Sequence, residues 1–238
     1  MPGGRAVVLV RFDAVPHEIE AEWNRWYDDT HIPARLALPG FIGARRFRGY
    51  EGEAGYLTLY ELETADAVAG DAYRELKRKE LSRPADSFEA RTLKLPGFQR
   101  GVYRQVYPGA DYEMPDTQYL FLVAHDIPAD REEEFAAWYD TEHIPAMLRV
   151  PGFATARRFK MWAPLAPESG AQSSNPQYLT LYDLTDGNAV ESGQFLKDRN
   201  SPWTSWVRSW YTRRLRIKAR RISRICARPH HATAPRAA

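Results

Sequence analysis

An α+β fold of two tandem βαββαβ units, packed sheet to sheet as one intramolecular barrel, is predicted by three observations. The segment WYDDTHIP at Trp26–Pro33 returns as WYDTEHIP at Trp138–Pro145, and over the twenty-two residues that begin at each tryptophan fifteen positions are identical. YLTLYEL at Tyr56 reappears as YLTLYDL at Tyr178, after ten inserted residues. Each copy also passes through the same succession of period-two and helical-period segments, the mark of an internal duplication.

The elements follow in order. AVVLVRFDAV is rich in β-branched residues and ends at a proline, which makes it a strand, and QYLFLVAHDIP lies over it in the second copy. HEIEAEWNRWYDDT then places Ile19, Trp23 and Trp26 or Tyr27 at helical spacing. Pro33 and Pro145 are expected to stop this helix, leaving His31 and His143 in a loop at the rim of a cavity. Pro39-Gly40 makes a turn, FIGARRFRGY a second strand, and Gly52 to Gly55 a turn into the third strand YLTLYEL. TADAVAGDAYRELKRKEL reads as a helix with Thr64 as N-cap, and TDGNAVESGQFLKD as its counterpart from Thr185. RGVYRQVY and RRLRIKARRI supply the fourth strands.

The resulting order is ferredoxin-like. One such unit carries both helices on one face of its sheet and leaves the other bare, so the second copy is expected to cover it, with four helices outside and a cavity between the sheets. The expected boundaries are 1–112 for the first repeat, 113–220 for the second, and a basic, disordered tail over 221–238.

Composition narrows the function. With 44% hydrophobic and 13% aromatic residues in 238, the chain has material for a real core. It lacks the roughly 18 to 20 uninterrupted apolar residues of a membrane span and opens without a cleavable apolar segment, so a cytoplasmic protein with no membrane partner is expected. Cys226 is the only cysteine, which excludes an intramolecular disulfide and a thiolate metal cluster. The net charge of +2 hides nine Lys or Arg and no acid between Arg208 and Arg228. This run is strand-like and lacks a nucleic-acid motif, so no nucleic-acid partner is expected. Association of two fused chains as a homodimer stays open.

Strand parity nominates the cavity lining. The polar parity of the first strand is Val7, Leu9, Arg11 and Asp13, matched to Tyr119, Phe121, Val123 and His125. The third strands turn Tyr56, Thr58 and Tyr60, and Tyr178, Thr180 and Tyr182, inward, with Leu57 and Leu59 beneath helices. Arg45, Phe47, Arg157 and Phe159 point in from the second strands, and Arg46 and Arg158 fall on the surface. A guanidinium in an apolar cavity is costly without a partner, so Arg11, Arg45 and Arg157, with His125 and the four tyrosines, are expected to bind an anionic, partly aromatic or conjugated small molecule. Asp28 and Asp140, three residues before each histidine, are placed to orient the imidazoles. No third ligand stands at metal spacing, so no metal is expected.

WYDDTHIPARLALPGFIGARRF and WYDTEHIPAMLRVPGFATARRF resemble the signature of dimeric α/β-barrel proteins of the EthD-like and muconolactone-isomerase-like kind, here fused in tandem. The resemblance spans nearly the whole chain apart from the last twenty residues. It implies a ferredoxin-like barrel whose members include cofactor-free isomerases, polyketide cyclases, dehydratases and monooxygenases, along with some haem-binding enzymes. It also implies an acid/base role for His31 and His143, with Tyr27 and Tyr139 beside them. The reading is a cofactor-independent isomerase or related lyase acting on an unsaturated carboxylate from aromatic catabolism, its histidine titrating near neutrality. The alternatives are a cofactor-free monooxygenase or cyclase, and a non-catalytic small-molecule binding protein.

Overall fold

Alternating segments at opposite ends of the sequence meet in one closed sheet. A computed structural model of the chain describes residues 5–52, 55–92, 95, 97–109, 114–162 and 175–226. Its strands are β1 (Ala6–Phe12), β2 (Phe41–Gly52), β3 (Tyr56–Leu62), β4 (Gln99–Tyr107), β5 (Tyr119–Asp126), β6 (Phe153–Met161), β7 (Tyr178–Leu184) and β8 (Arg213–Cys226). They close in the order β1-β3-β2-β8-β5-β7-β6-β4, with every pairing antiparallel. The strands of each half are contiguous in that order, and β2 meets β8 and β4 meets β6 at the two seams. Each half thereby loses its open edges. β8 runs to Cys226, so the basic segment set apart at 221 begins inside a strand; 227–238 lie outside the described residues.

The helix after β1 does not stop at the proline. α1 (His17–Trp26) continues through a π turn over Tyr27–His31 into α2 (Ile32–Leu36). The second copy repeats this with α5 (Glu132–Trp138), a π turn over Tyr139–His143, and α6 (Ile144–Leu148). Ile32 N–H donates to the Tyr27 carbonyl and Ile144 N–H to Tyr139, five residues back in each case. A proline cannot donate to the turn before it and crowds that turn's carbonyl; the widened turn accommodates both defects without ending the helix. His31 and His143 are therefore helical residues, not loop residues.

The remaining helices are α3 (Asp71–Leu81), α4 (Phe88–Thr92), α7 (Gly193–Asp198) and α8 (Pro202–Arg208). Thr64 does not cap: a short 3-10 turn over Ala65–Ala69 precedes α3, and α7 is capped by Ser192, whose hydroxyl accepts from Phe195 N–H.

The barrel interior is filled, not hollow. Val7, Leu9, Leu57, Leu59, Leu120, Leu122, Leu179, Leu181 and Ile217 form one apolar cluster with Phe47 and Phe159. Arg45 and Arg157 point in as expected and are 0% exposed. Their charge is met within the protein: Arg157 forks onto Glu61 at 2.8 and 2.7 Å, and Arg45 pairs with Asp183 and lies 3.6 Å from Glu61. Each pair joins the two halves. The expectation that these arginines await a ligand carboxylate is thus corrected.

Parity on β3, β5 and β7 is the reverse of that expected. Tyr56 and Tyr60 pack with Trp23 and Tyr27 under the first-half helices, while Phe121, Tyr178 and Tyr182 pack with Trp138 and Tyr139 under the second. Both faces of β3 and β7 are buried throughout, so tyrosine marks the helix side and leucine the barrel side, and hydrophobicity alone cannot rank them. On β5 a further slip contributes: Leu9 pairs with Leu59 and Leu122 with Leu181, which makes Leu122 the counterpart of Leu9 and Phe121 that of Val8. The connection from β5 to α5 is one residue shorter than its equivalent, which an alignment on the tryptophans hides.

Arg46 and Arg158 are buried rather than superficial, 1% and 4% exposed. Arg46 donates to Asp28 at 3.0 Å and lies over Trp23 and Tyr27; Arg158 pairs with Asp140 and lies over Phe135 and Tyr139. Asp28 also accepts from Ser223 at 2.9 Å. The two aspartates dock the helix onto the sheet and do not orient the histidines. Replacing Glu61 by Gln strips the inner arginines of a shared counter-charge, and unfolding by urea should show a loss of about 3–5 kcal/mol, whereas an unchanged midpoint would show the pairing to be dispensable.

Candidate functional site

Two equivalent pockets lie between sheet and helices, one in each half. The first is lined by Tyr27, His31, Arg35, Tyr60, Tyr73, Lys77 and Arg100, the second by Tyr139, His143, Met147, Tyr182, Phe195, Arg199 and Arg216, with His125, Arg208, Tyr211 and Arg214 added. The structure therefore gathers His31, Tyr27 and Tyr60 at one place, and His143, His125, Tyr139 and Tyr182 at the other.

It does not bring the remaining candidates to either pocket. Arg11 shares the parity of Val7 and Leu9, and its Nε donates to Asn175 Oδ1 at 2.8 Å. Tyr56 accepts from Asn24 at 3.3 Å and donates to Glu20, holding α1 to β3. Tyr178 packs edge-on against Phe135, with Lys160 over its ring. Arg45, Arg157, Asp28 and Asp140 have the structural partners given above.

The first pocket meets two of its cations internally, though Arg100 Nη1 and the Tyr60 hydroxyl lie buried without partners. Arg35, on α2, donates through Nη2 to both carboxylate oxygens of Glu80 of α3 at 2.8 and 3.1 Å, and Lys77 reaches the same carboxylate at 2.9 Å. Arg35 Nη1 also lies 3.2 Å from His31 Nδ1. Arg100 donates to the Tyr73 hydroxyl at 3.0 Å. About 40 Å3 of room remains.

The second pocket does not. Met147 stands where Arg35 stands in the first copy, and among the described residues the lining contains four arginines and no carboxylate. None of Arg199, Arg208, Arg214 or Arg216 forms an ion pair among the described residues; Arg208 donates to Asn200 at 2.7 Å and to the Arg199 carbonyl, and Arg216 lies over the Phe121 ring. Burial and mutual repulsion lower the pKa values of Arg199, Arg208 and Arg216. Four polar atoms lie buried without partners here: His125 Nδ1, His143 Nδ1, Arg216 Nε and the Tyr182 hydroxyl. His143 stacks on Trp138 at 4.4 Å and His125 on Tyr211 at 3.9 Å, so the aromatic walls fix both rings.

Electrostatics correct the expectation of a histidine titrating near neutrality. Burial, with Arg208 and Arg199 nearby, pushes His143 down to about 3. Burial, Arg214 and His143 push His125 to about 3 as well. His31 is held well below its ordinary value by burial and Arg35. All three are neutral at pH 7, each with one ring N–H and one basic nitrogen, and none carries the acidic proton of an imidazolium.

The pocket arginines were not singled out from the sequence. Arg214 and Arg216 alternate with Leu215 and Ile217 along β8, a period-two signal for one cationic face, but Arg199 and Arg208 come from helices that only the fold brings near. A haem does not fit. Four arginines line the pocket, unlike the apolar slot with an axial histidine that holds a tetrapyrrole. Among the described residues no three His, Cys, Asp or Glu are placed to share a metal ion, and no helix is long and apolar enough to cross a membrane.

No protein-family model matches the chain, and no curated protein sequence does. Solved structures do match in fold. An anthrone oxidase-like protein superposes with a TM-score of 0.61 at 11% identity, covering 96% of both chains. A candidate monooxygenase from Fusobacterium nucleatum gives 0.56 at 8% identity, covering 94% of this chain and 95% of its own. A chlorite dismutase mutant from Candidatus Nitrospira defluvii gives 0.57 at 9% identity, covering 92% of each. At such identities the likeness is one of fold alone, that of an α+β chain with a closed eight-stranded antiparallel barrel.

Proposed function

We propose that the protein is a cofactor-free oxygenase acting on an anionic, enolisable aromatic or conjugated substrate in the second-half pocket. The observation that carries this is a lining of four arginines without a carboxylate, around two histidines whose Nδ1 atoms have no partner. Monooxygenase and anthrone oxidase-like neighbours of the same fold favour oxygenation over the isomerisation that the sequence suggested. We read the halves as fused ferredoxin-like copies meeting near residue 112, with the first copy's pocket retired from chemistry by Arg35 and Glu80.

The chemistry follows from the charges. A neutral imidazole, His143 or His125, takes a proton from a carbon beside a carbonyl, and the electron pair passes to the carbonyl oxygen. An arginine facing that oxygen stabilises the enolate, and so makes the C–H more acidic. The bound anion in turn offsets Arg208 and Arg199, which raises the histidine pKa and improves the base when substrate is present. Dioxygen receives the carbanion's electrons in two one-electron steps, and a C–O bond forms to give a peroxide anion, which takes the proton back from the imidazolium. A second removal of the carbon proton breaks the O–O bond. One CH2 and one O2 become C=O and water. Tyr182, its hydroxyl unpartnered and its pKa raised well above the ordinary value by burial, stays protonated and can donate to an oxyanion.

An oxygen electrode with a carboxylated anthrone as probe tests the reading. Oxygen should be consumed at one mole per mole of ketone formed, and His143→Gln should lower kcat by about 10²–10⁴-fold. Conversion to an isomer without oxygen uptake would instead establish the isomerase, and binding without conversion a carrier.

The histidines also set an acid limit to stability. Their folded pKa near 3 lies below the ordinary 6.5, so the unfolded chain binds more protons between those values, and stability present above pH 6.5 is lost as pH falls toward 3. The thermal midpoint should fall from pH 7 to pH 4, and His125→Phe, which installs the first copy's Phe12, should flatten that fall. An equally steep fall in the variant would contradict a neutral buried His125.

A further inference from the structure

We infer that the ligand of the second-half pocket is a dianion, one that carries two separated negative groups or a doubly charged one. This deepens the proposed site and rests on that site being the binding pocket, though not on the reaction carried out there.

The first half supplies an internal standard. Tyr73 of α3 corresponds to Phe195 of α7, Lys77 to Arg199, and, through the strand registers, Arg100 to Arg216. In that half one carboxylate, Glu80, answers two cations, Arg35 and Lys77, while the third, Arg100, is turned to the Tyr73 hydroxyl. The tyrosine that holds Arg100 is a phenylalanine in the second half, so Arg216 has no hydroxyl to donate to at that place. Its Nε is buried without a partner.

The second half has lost the carboxylate and gained cations. α7 ends at Asp198, short of any counterpart to Glu80, and Arg214 stands where Phe98 stands in the first half. Four guanidiniums surround the pocket with no acid in its lining. One carboxylate can form a fork with a single arginine and leaves three positive groups facing one another. Three cations less one carboxylate leave the first half at a balance of +2, and the four cations of the second half reach that balance with two negative charges. The neutral histidines add donors or acceptors but no charge, and the enclosed room of about 60 Å3 admits one such anionic group while the rest of the ligand spans the open mouth toward Arg214, which is exposed.

Calorimetric titration of the full chain with phthalate and with benzoate tests this at low and high salt. The two probes share a ring and differ by one carboxylate. Phthalate should bind at least ten times more tightly at low salt, and Arg214→Gln together with Arg216→Gln should reduce that preference to threefold or less. Inorganic phosphate should compete with phthalate. Equal affinities, a preference for benzoate, or no binding of either probe would overturn the inference. Retention of the preference in the double variant would move it to another part of the surface and overturn it equally. Oxygen uptake is read separately: dianion preference without oxygen consumption sinks the oxygenase and leaves the ligand class standing, and oxygen consumption with monoanions alone does the reverse.

Discussion

The reciprocal ion pairs inside the barrel are the constraint from which the rest of the structure follows. Arg45 of the first half meets Asp183 of the second, and Arg157 of the second meets Glu61 of the first. All four are essentially without exposure. Four charges in an apolar interior are tolerable only when each is matched, and here the match requires both halves at once. Neither sheet could keep its inner face as it is without the other, and the pattern is the self-complementary one of a two-fold dimer contained within a single chain.

That cluster also decides where a ligand can go. With Glu61 and Asp183 committed to the interior, the residues one step away on β3 and β7, Tyr60 and Tyr182, must face the helices. The chambers therefore form between sheet and helix, under the π turns, rather than between the sheets. The π turns serve the same end: each lifts its histidine over the strands while Asp28 or Asp140 clamps the helix onto a buried arginine beneath. The repeated Trp, Tyr and Asp of the motif are thus docking groups. The histidine is the member whose ring, in the second half, is held in place with a nitrogen left free.

The two chambers differ in how their charges are met. In one, a carboxylate meets two of the three cations; in the other, methionine stands at the position of the paired arginine and guanidiniums converge from α7, α8 and β8. A charge cluster without counter-ions is a standing cost to folding. Its natural resolution is a bound anion, which is why function is assigned to the second half.

The sequence by itself determined the duplication, the order of elements, the inward aim of Arg45 and Arg157, and the approximate position of every strand, because period-two alternation and repeated motifs are local properties. It also nominated His31, His143, Tyr60 and Tyr182, which do line pockets. Only the tertiary structure decided which face of each strand meets the barrel, since both faces are buried and a tyrosine serves either. Only it showed that Arg46 and Arg158 lie under aromatic rings, that a proline can follow a π turn, and that Arg199, Arg208, Arg214 and Arg216 converge. Those outcomes depend on contacts between residues far apart in the chain, and charge balance is a property of the assembled pocket rather than of any segment.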